Sequence, residues 1–187
     1  MCDEEPFYVG RAGGMGDRAG NFAIQNSDLV FSVGSRLSIR QVGYDYKTWA
    51  REAYTIVNDI DIEELKKPSV HVDMPVHADA KDLLETLERV LDQEKTPVFD
   101  GGQGLRDMTW VETCQMWKKA YPVVQPKHMA SDDTKNANVY ALVQELSCRL
   151  KENQITVSGN GSACVAGGHA YIIKKGQRFI SNSAVAS

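Results

Sequence analysis

Cysteine is scarce in this sequence. Cys2, Cys114, Cys148 and Cys164 are the only four in 187 residues, and no two form a C-x-x-C pair. A disulfide scaffold and a cysteine-based zinc or dithiol site are thereby excluded. No apolar run reaches the roughly 18 residues that a membrane-spanning helix needs. The start, MCDEEPFYVG, is acidic and lacks the basic-then-apolar layout of a secretory signal. No basic stripe occurs and the net charge is -4, which argues against a nucleic-acid partner. The four histidines, His71, His77, His128 and His169, show no metal-ligand spacing. No G-x-S-x-G nucleophile elbow is present either. What remains is a globular composition, 42% hydrophobic and 25% charged, that points to a cytoplasmic protein. The length suits one generous domain or parts of two.

The chain divides into two segments of α/β character. FYVG reads as a short strand, followed by a turn that holds Gly10, Gly13, Gly14, Gly16 and Gly20. A short helix is expected over 21–26. The run LVFSVG, residues 29–34, suits a buried parallel strand, as does YTIVNDID, residues 54–61. KTWAREA between them predicts a crossover helix, and the three together make a right-handed βαβ unit. Val70 to Asp73 reads as a further strand. A helix is predicted from Ala80 to Leu91, with Leu83, Leu87, Val90 and Leu91 on one face. DQEKTPVFDGGQG has linker composition, Met108 to Tyr121 predicts a helix, and YPVVQPKHMASDDTKNA predicts an extended connection. Asn138 is a candidate N-cap for a helix whose stripe is Val139, Leu142, Val143, Leu146 and Leu150. Strands at Ile155–Val157 and Arg178–Ser181 flank a glycine-bearing turn and a run of small residues.

Four places are candidate binding edges. The glycine turn around Gly14 suits either a phosphate cradle or a tight structural turn. Arg36, after the strand that ends at Gly34, suits a phosphate or pairs with a surface carboxylate. Asp59 and Asp61 end the second strand, where they accept ribose hydroxyls or, for Asp61, cap the helix begun by Ile62. Gly159-Asn160-Gly161-Ser162-Ala163 is the second phosphate-cradle candidate, and it too describes a plain turn.

The run GRAGGMGDRAGNFAIQNSDLVFSVGSRLSIRQVGY, followed by AYTIVNDIDIEELKKP, resembles the central domain of thiamine-diphosphate-dependent enzymes of the acetolactate synthase type. The later VYALVQELSCRLKENQITVSGNGSACVAGG and GQRFISNSAVAS resemble the start of that family's pyrophosphate-binding domain. The resemblance implies an α/β fold: a parallel-sheet, Rossmann-like central domain over residues 1–94, truncated at its start. A linker over 95–135 and the beginning of a second α/β domain over 136–187 follow.

It further implies thiamine diphosphate and Mg2+ as cofactors, and FAD in some members. A 2-keto acid such as pyruvate is the implied substrate, and a dimer or tetramer the implied assembly. Gly161, Ser162 and Ala163 match the place where the family contacts the diphosphate through backbone groups. Ser162-Ala163 stands where many members have Gln-His, which leaves the backbone as the main contact. Gly14, Arg36 and Asp59 stand where FAD contacts would be. The family's cofactor-activating glutamate belongs to a domain expected before Met1, and its GDG-to-asparagine metal motif is expected after Ser187. On this view no metal ligand lies in the chain, and the 187 residues are an inert fragment of a longer enzyme. The rival expectation is a stand-alone FAD-binding or regulatory module without catalysis.

Overall fold

The computed structural model describes residues 3–94, 102, 104–129 and 136–181. Residues 95–101, 103 and 130–135 of the expected linker, and 182–187 at the end, lie outside the described residues. The elements are α1 (Arg18–Asn26), β1 (Leu29–Val33), α2 (Ile39–Val42), β2 (Tyr54–Asp59), α3 (Ile62–Lys66), β3 (Met74–His77) and α4 (Ala80–Gln93). There follow α5 (Trp110–Ala120), α6 (Pro126–Met129), α7 (Val139–Arg149), β4 (Ile155–Ser158), α8 (Ser162–Ala170) and β5 (Arg178–Ser181). The chain forms two compact units. One is Phe22–Cys114, and the other joins Met1–Asn21 to Gln115–Ser187.

The first of these is a three-stranded parallel sheet in the order β1-β2-β3. Side chains alternate across it. Val30 and Ser32 of β1 and Thr55 and Val57 of β2 lie on the covered face, and all four are buried. Under that face Val57 packs with Leu37, Val42, Leu65 and Val70, with Trp49 and Val72 at the margin. Leu29, Phe31, Tyr54 and Met74 stand on the opposite face and are exposed.

Polar side chains complete this sheet. Asp73 Oδ2 accepts from Thr55 N–H (2.7 Å), and Thr55 Oγ1 donates to the carbonyl of His71 (2.7 Å). These bonds displace the third strand from its expected place. Asp73 takes the Thr55 N–H with its side chain rather than its carbonyl, so the strand register starts at Ile56 and Met74, past Val70–Asp73.

The expected helix over KTWAREA is also absent. A 3-10 turn at Tyr46–Thr48 stands there instead, and Ala50, at φ 46, leaves the helical region. The amphipathic α4 forms as expected, capped by Asp79, whose side chain accepts from Lys81 N–H. Leu83 and Leu87 are half-buried, whereas Val90 and Leu91 are exposed.

The helix over 110–120 begins with a reciprocal cap. Thr109 Oγ1 accepts from Glu112 N–H, and Glu112 Oε2 accepts from Thr109 N–H (2.7 Å), satisfying two end donors at once. These bonds, the backbone one foremost, hold the Glu112 carboxyl below its ordinary pKa.

In the second unit β4 pairs in parallel with β5. Asn138 caps α7 as expected, accepting from Tyr140 and Ala141 N–H. The buried face of α7 differs from the predicted stripe. Ala141 and Ser147 are buried, and Val143 packs beside Val124, Ala141 and Ala170, while Val139, Leu142 and Leu146 are exposed. Buried Ser147 explains the shift, because its hydroxyl bridges the Gln144 carbonyl and Ile172 N–H. FYVG forms no strand. Side chains take the Tyr8 carbonyl instead, Gln115 Nε2 at 3.4 Å and Lys118 Nζ at 2.9 Å. The stretch expected to be extended contains α6.

Leu65→Ala is expected to lower the unfolding free energy of the Phe22–Cys114 unit by about 2–4 kcal/mol in urea denaturation, since it opens a cavity beneath β2. Thr109→Ala is expected to cost about 1 kcal/mol by removing the α5 cap. The depressed Glu112 pKa contributes stability that is present above the ordinary carboxylate value and lost as pH falls through the depressed one. Glu112→Gln is accordingly expected to flatten the acid limb of stability against pH, followed by thermal melts.

Candidate functional site

A parallel strand that feeds a helix through a glycine turn presents backbone N–H groups at its carboxyl edge. The segment from β4 to α8 has this form. Gly161 precedes α8 at φ 73, a conformation that glycine adopts without strain. Asn160 Oδ1 accepts from Gly161 N–H (2.8 Å), and Ser158 Oγ donates to the Gly159 carbonyl (3.0 Å), which shapes the turn. A Cβ added at Gly159 or Gly161 would meet nothing within 4 Å. No side chain caps α8, and Ser162 and Ala163 are exposed at its first turn. The first N–H groups of α8 thus stand open beside the positive end of the helix dipole.

The far end of the same helix is held by a residue between the glycines. Arg11 donates to the carbonyls of Gly168 (2.5 Å) and Tyr171 (2.6 Å). Asp3 lies 3.5 Å from the guanidinium and accepts from Ile173 N–H (2.5 Å). Beside them the Tyr8 phenol is pushed up to about 12, first by burial, with Asp3 raising and Arg11 opposing. Lys118 Nζ sits 5.0 Å from the centre of the Tyr8 ring.

The glycine-rich loop is itself built around Asp17. Asp17 Oδ2 accepts from Arg11 N–H (3.1 Å), and Oδ1 accepts from Gly20 N–H (3.0 Å). A Cβ at Gly10 would collide with the Asp17 carboxylate, and one at Gly16 with the Arg11 carbonyl. Asn21 closes the loop, accepting from Gly13 N–H (2.7 Å) and donating to Gly13 O (3.1 Å). Gly14 is exposed in this loop.

Arg36 and Asp59 lie in the other unit, together at the carboxyl edge of the three-stranded sheet. Arg36, at φ 61, extends into solvent and donates through Nε to Glu64 Oε1 (2.6 Å). Lys67 binds Glu64 Oε2 (2.9 Å) and the Arg36 and Leu37 carbonyls. Glu64 is held below its ordinary pKa by Lys67 first and Arg36 second. Asp59 is 8% exposed, and its Oδ1 accepts from Asp61 N–H (3.0 Å). Asp61 in turn caps α3, accepting from Glu63 N–H.

The sequence reading passed over Asn58. It is 1% exposed, donates to the Val76 and Ala78 carbonyls, and leaves Oδ1 without a partner. A polar residue inside the apolar run Ile56-Val57 was its signal. Arg11 and Asp17 were passed over too, and the glycines crowded about them were the signal there. Among the described residues, no group of three His, Cys, Asp or Glu side chains converges to hold a metal, and no helix is long and apolar enough to cross a membrane.

Residues 1–87 match the thiamine pyrophosphate enzyme central domain. A "Probable acetolactate synthase large subunit" of Methanococcus aeolicus is 36% identical over 92 residues, 49% of this chain and 15% of that protein. The acetolactate synthase isozyme 2 large subunit of Escherichia coli (strain K12) is 38% identical over 89 residues, 47% of this chain and 16% of its own. The acetolactate synthase large subunit of Cyanidium caldarium is 30% identical over 124 residues, 65% of this chain and 20% of its own. The chain therefore spans a minor part of the length of the relatives it matches. The glycine loop and the three-stranded parallel sheet fall within this matched region, and over it the chain is similar to the central domain of thiamine-diphosphate-dependent, acetolactate-synthase-like enzymes.

Proposed function

We propose that this chain is part of an enzyme that decarboxylates a 2-keto acid such as pyruvate and transfers or ligates the resulting two-carbon unit. In this reading the open first turn of α8 takes the diphosphate end of thiamine diphosphate. The observation that carries it is the uncapped N-terminus behind Gly161, with nothing near Gly159 or Gly161 to fill the cradle. The turn fits the group. Backbone N–H donors at a helix N-terminus suit phosphate oxygens, and exposed Ser162 adds a hydroxyl. When bound, thiamine diphosphate supplies the electron sink for the carbanion that decarboxylation leaves.

The residues of the chain position and support. Gly161 admits the close approach of the diphosphate, the first-turn N–H groups of α8 bind its oxygens, and Arg11 ties down the other end of that helix. Magnesium accompanies the cofactor in this reading, and the described residues offer it no cluster of side-chain ligands. An FAD phosphate at Arg36 would require that residue to exchange Glu64 for it. A dimer or tetramer agrees with the exposed apolar stripe of Val139, Leu142 and Leu146, the kind of surface that assembly covers.

Titration of the 187-residue chain with thiamine diphosphate tests this, with backbone amide resonances as the readout. The Gly161, Ser162 and Ala163 amides are expected to shift saturably. Ser162→Pro deletes one donor at a position where helices accept proline. It is expected to weaken binding by about tenfold, the worth of one charge-assisted bond. An unresponsive turn, or unchanged binding by Ser162→Pro, would defeat the proposal.

A further inference from the structure

At the opposite end of α8 from the turn, a cleft of about 420 Å³ is lined by Gly16, Asp17, Arg18, Val123, His128, Asn138, Tyr140 and His169. All of these belong to one compact unit. The hydrogen bonds around the two histidines settle their tautomers. His128 Nδ1 accepts from Gln125 N–H (3.1 Å), so its proton is on Nε2 and that nitrogen is a donor. His169 Nδ1 lies 3.0 Å from the Val165 carbonyl, which only accepts, so Nδ1 carries a proton and in the neutral ring Nε2 is a bare acceptor. The His169 ring rests against Tyr140, with centroids 5.9 Å apart.

The charged groups divide in the same way. Arg18 opens α1, is exposed, and makes no ion pair among the described residues. Asp17 already accepts one backbone N–H on each oxygen. The cleft therefore offers a cation and an N–H donor, an imidazole acceptor, and the Tyr140 hydroxyl, which serves either way.

We propose that Arg18, His128, Tyr140 and His169 bind inorganic hydrogen phosphate. The reason is donor and acceptor matching. The anionic oxygens suit Arg18 and His128 Nε2–H, and only an oxyanion that keeps a P–O–H also has a proton for His169 Nε2. Sulfate at neutral pH and a carboxylate have the charge without the proton, and each leaves that nitrogen unsatisfied. The site is separate from the one proposed above, since the nine-residue α8 puts roughly 13 Å between its two ends.

The test is a titration of the 187-residue chain near pH 7.5, followed through the histidine ring nitrogens. Inorganic phosphate is expected to shift His128 and His169 saturably and to leave His71 and His77 in place. Sulfate at matched ionic strength is expected to bind about tenfold more weakly. Arg18→Gln, an exposed change expected to keep the circular dichroism spectrum, is expected to weaken phosphate by about tenfold as well. Phenyl phosphate, which loses its second proton near pH 6 and has no P–O–H at pH 7.5, is expected to bind about tenfold more weakly than inorganic phosphate, and equal binding overturns the proposal. The proposal is overturned by the absence of a saturable shift at these two rings, by equal binding of sulfate, or by indifference to Arg18→Gln. A response confined to the Ser162 amide likewise refutes it and leaves the diphosphate reading standing.

Discussion

The guanidinium of Arg11 joins the beginning of the chain to the end of α8, and the unit built around β4 and β5 depends on that junction. A helix ends with carbonyls that lack intrahelical partners and carry partial negative charge. Arg11 meets the Gly168 carbonyl, the Tyr171 carbonyl just beyond the helix, and the Asp3 carboxylate. Its own backbone is fixed by Asp17, which accepts its N–H and donates its N–H to the Arg11 carbonyl. This close packing explains why Gly10 and Gly16 carry no side chain. One cation thus accounts for the glycine pattern and for the anchoring of α8, whose free end faces the proposed cofactor.

Polar chemistry also organises the three-stranded unit. Parallel strands are ordinarily covered on both faces, and here one face is closed by the cluster around Val57 and Leu65. At its carboxyl edge, Glu64 gathers Arg36 and Lys67, and Lys67 binds two turn carbonyls. That arrangement holds Arg36 and Leu37 at positive φ, where a turn without glycine needs outside support. Asn58 stitches β2 to the exit of β3 through two carbonyls.

Elements with strong local signals were legible. The cap at Asn138, the cap at Asp61, the apolar strands β1 and β2 and the amphipathic α4 all follow from neighbouring residues. Elements set by distant side chains were not. FYVG has strand-like residues, yet Gln115 and Lys118 take the Tyr8 carbonyl from more than a hundred positions away. KTWAREA has helical composition, yet Trp49 is drawn to the core beneath β2 and Ala50 turns the chain. The α7 stripe failed for a related reason. Periodicity shows where apolar residues align, and buried Ser147 shows which face a neighbour covers.

The candidate site divides along the same line. Sequence by itself determined the alternation of parallel strands and helices, the glycine turns, and the motifs that carry the family resemblance, because each resides in contiguous residues. Tertiary structure decided that residues 1–21 pack with residues 115–187, and that Gly14 belongs to a different unit from Arg36 and Asp59. It also decided that Arg36 faces Glu64, and that two histidines 41 positions apart (169 minus 128) line one cleft. Those outcomes rest on hydrogen bonds and burial between segments far apart in the chain, and local pattern carries no information about which distant groups will meet.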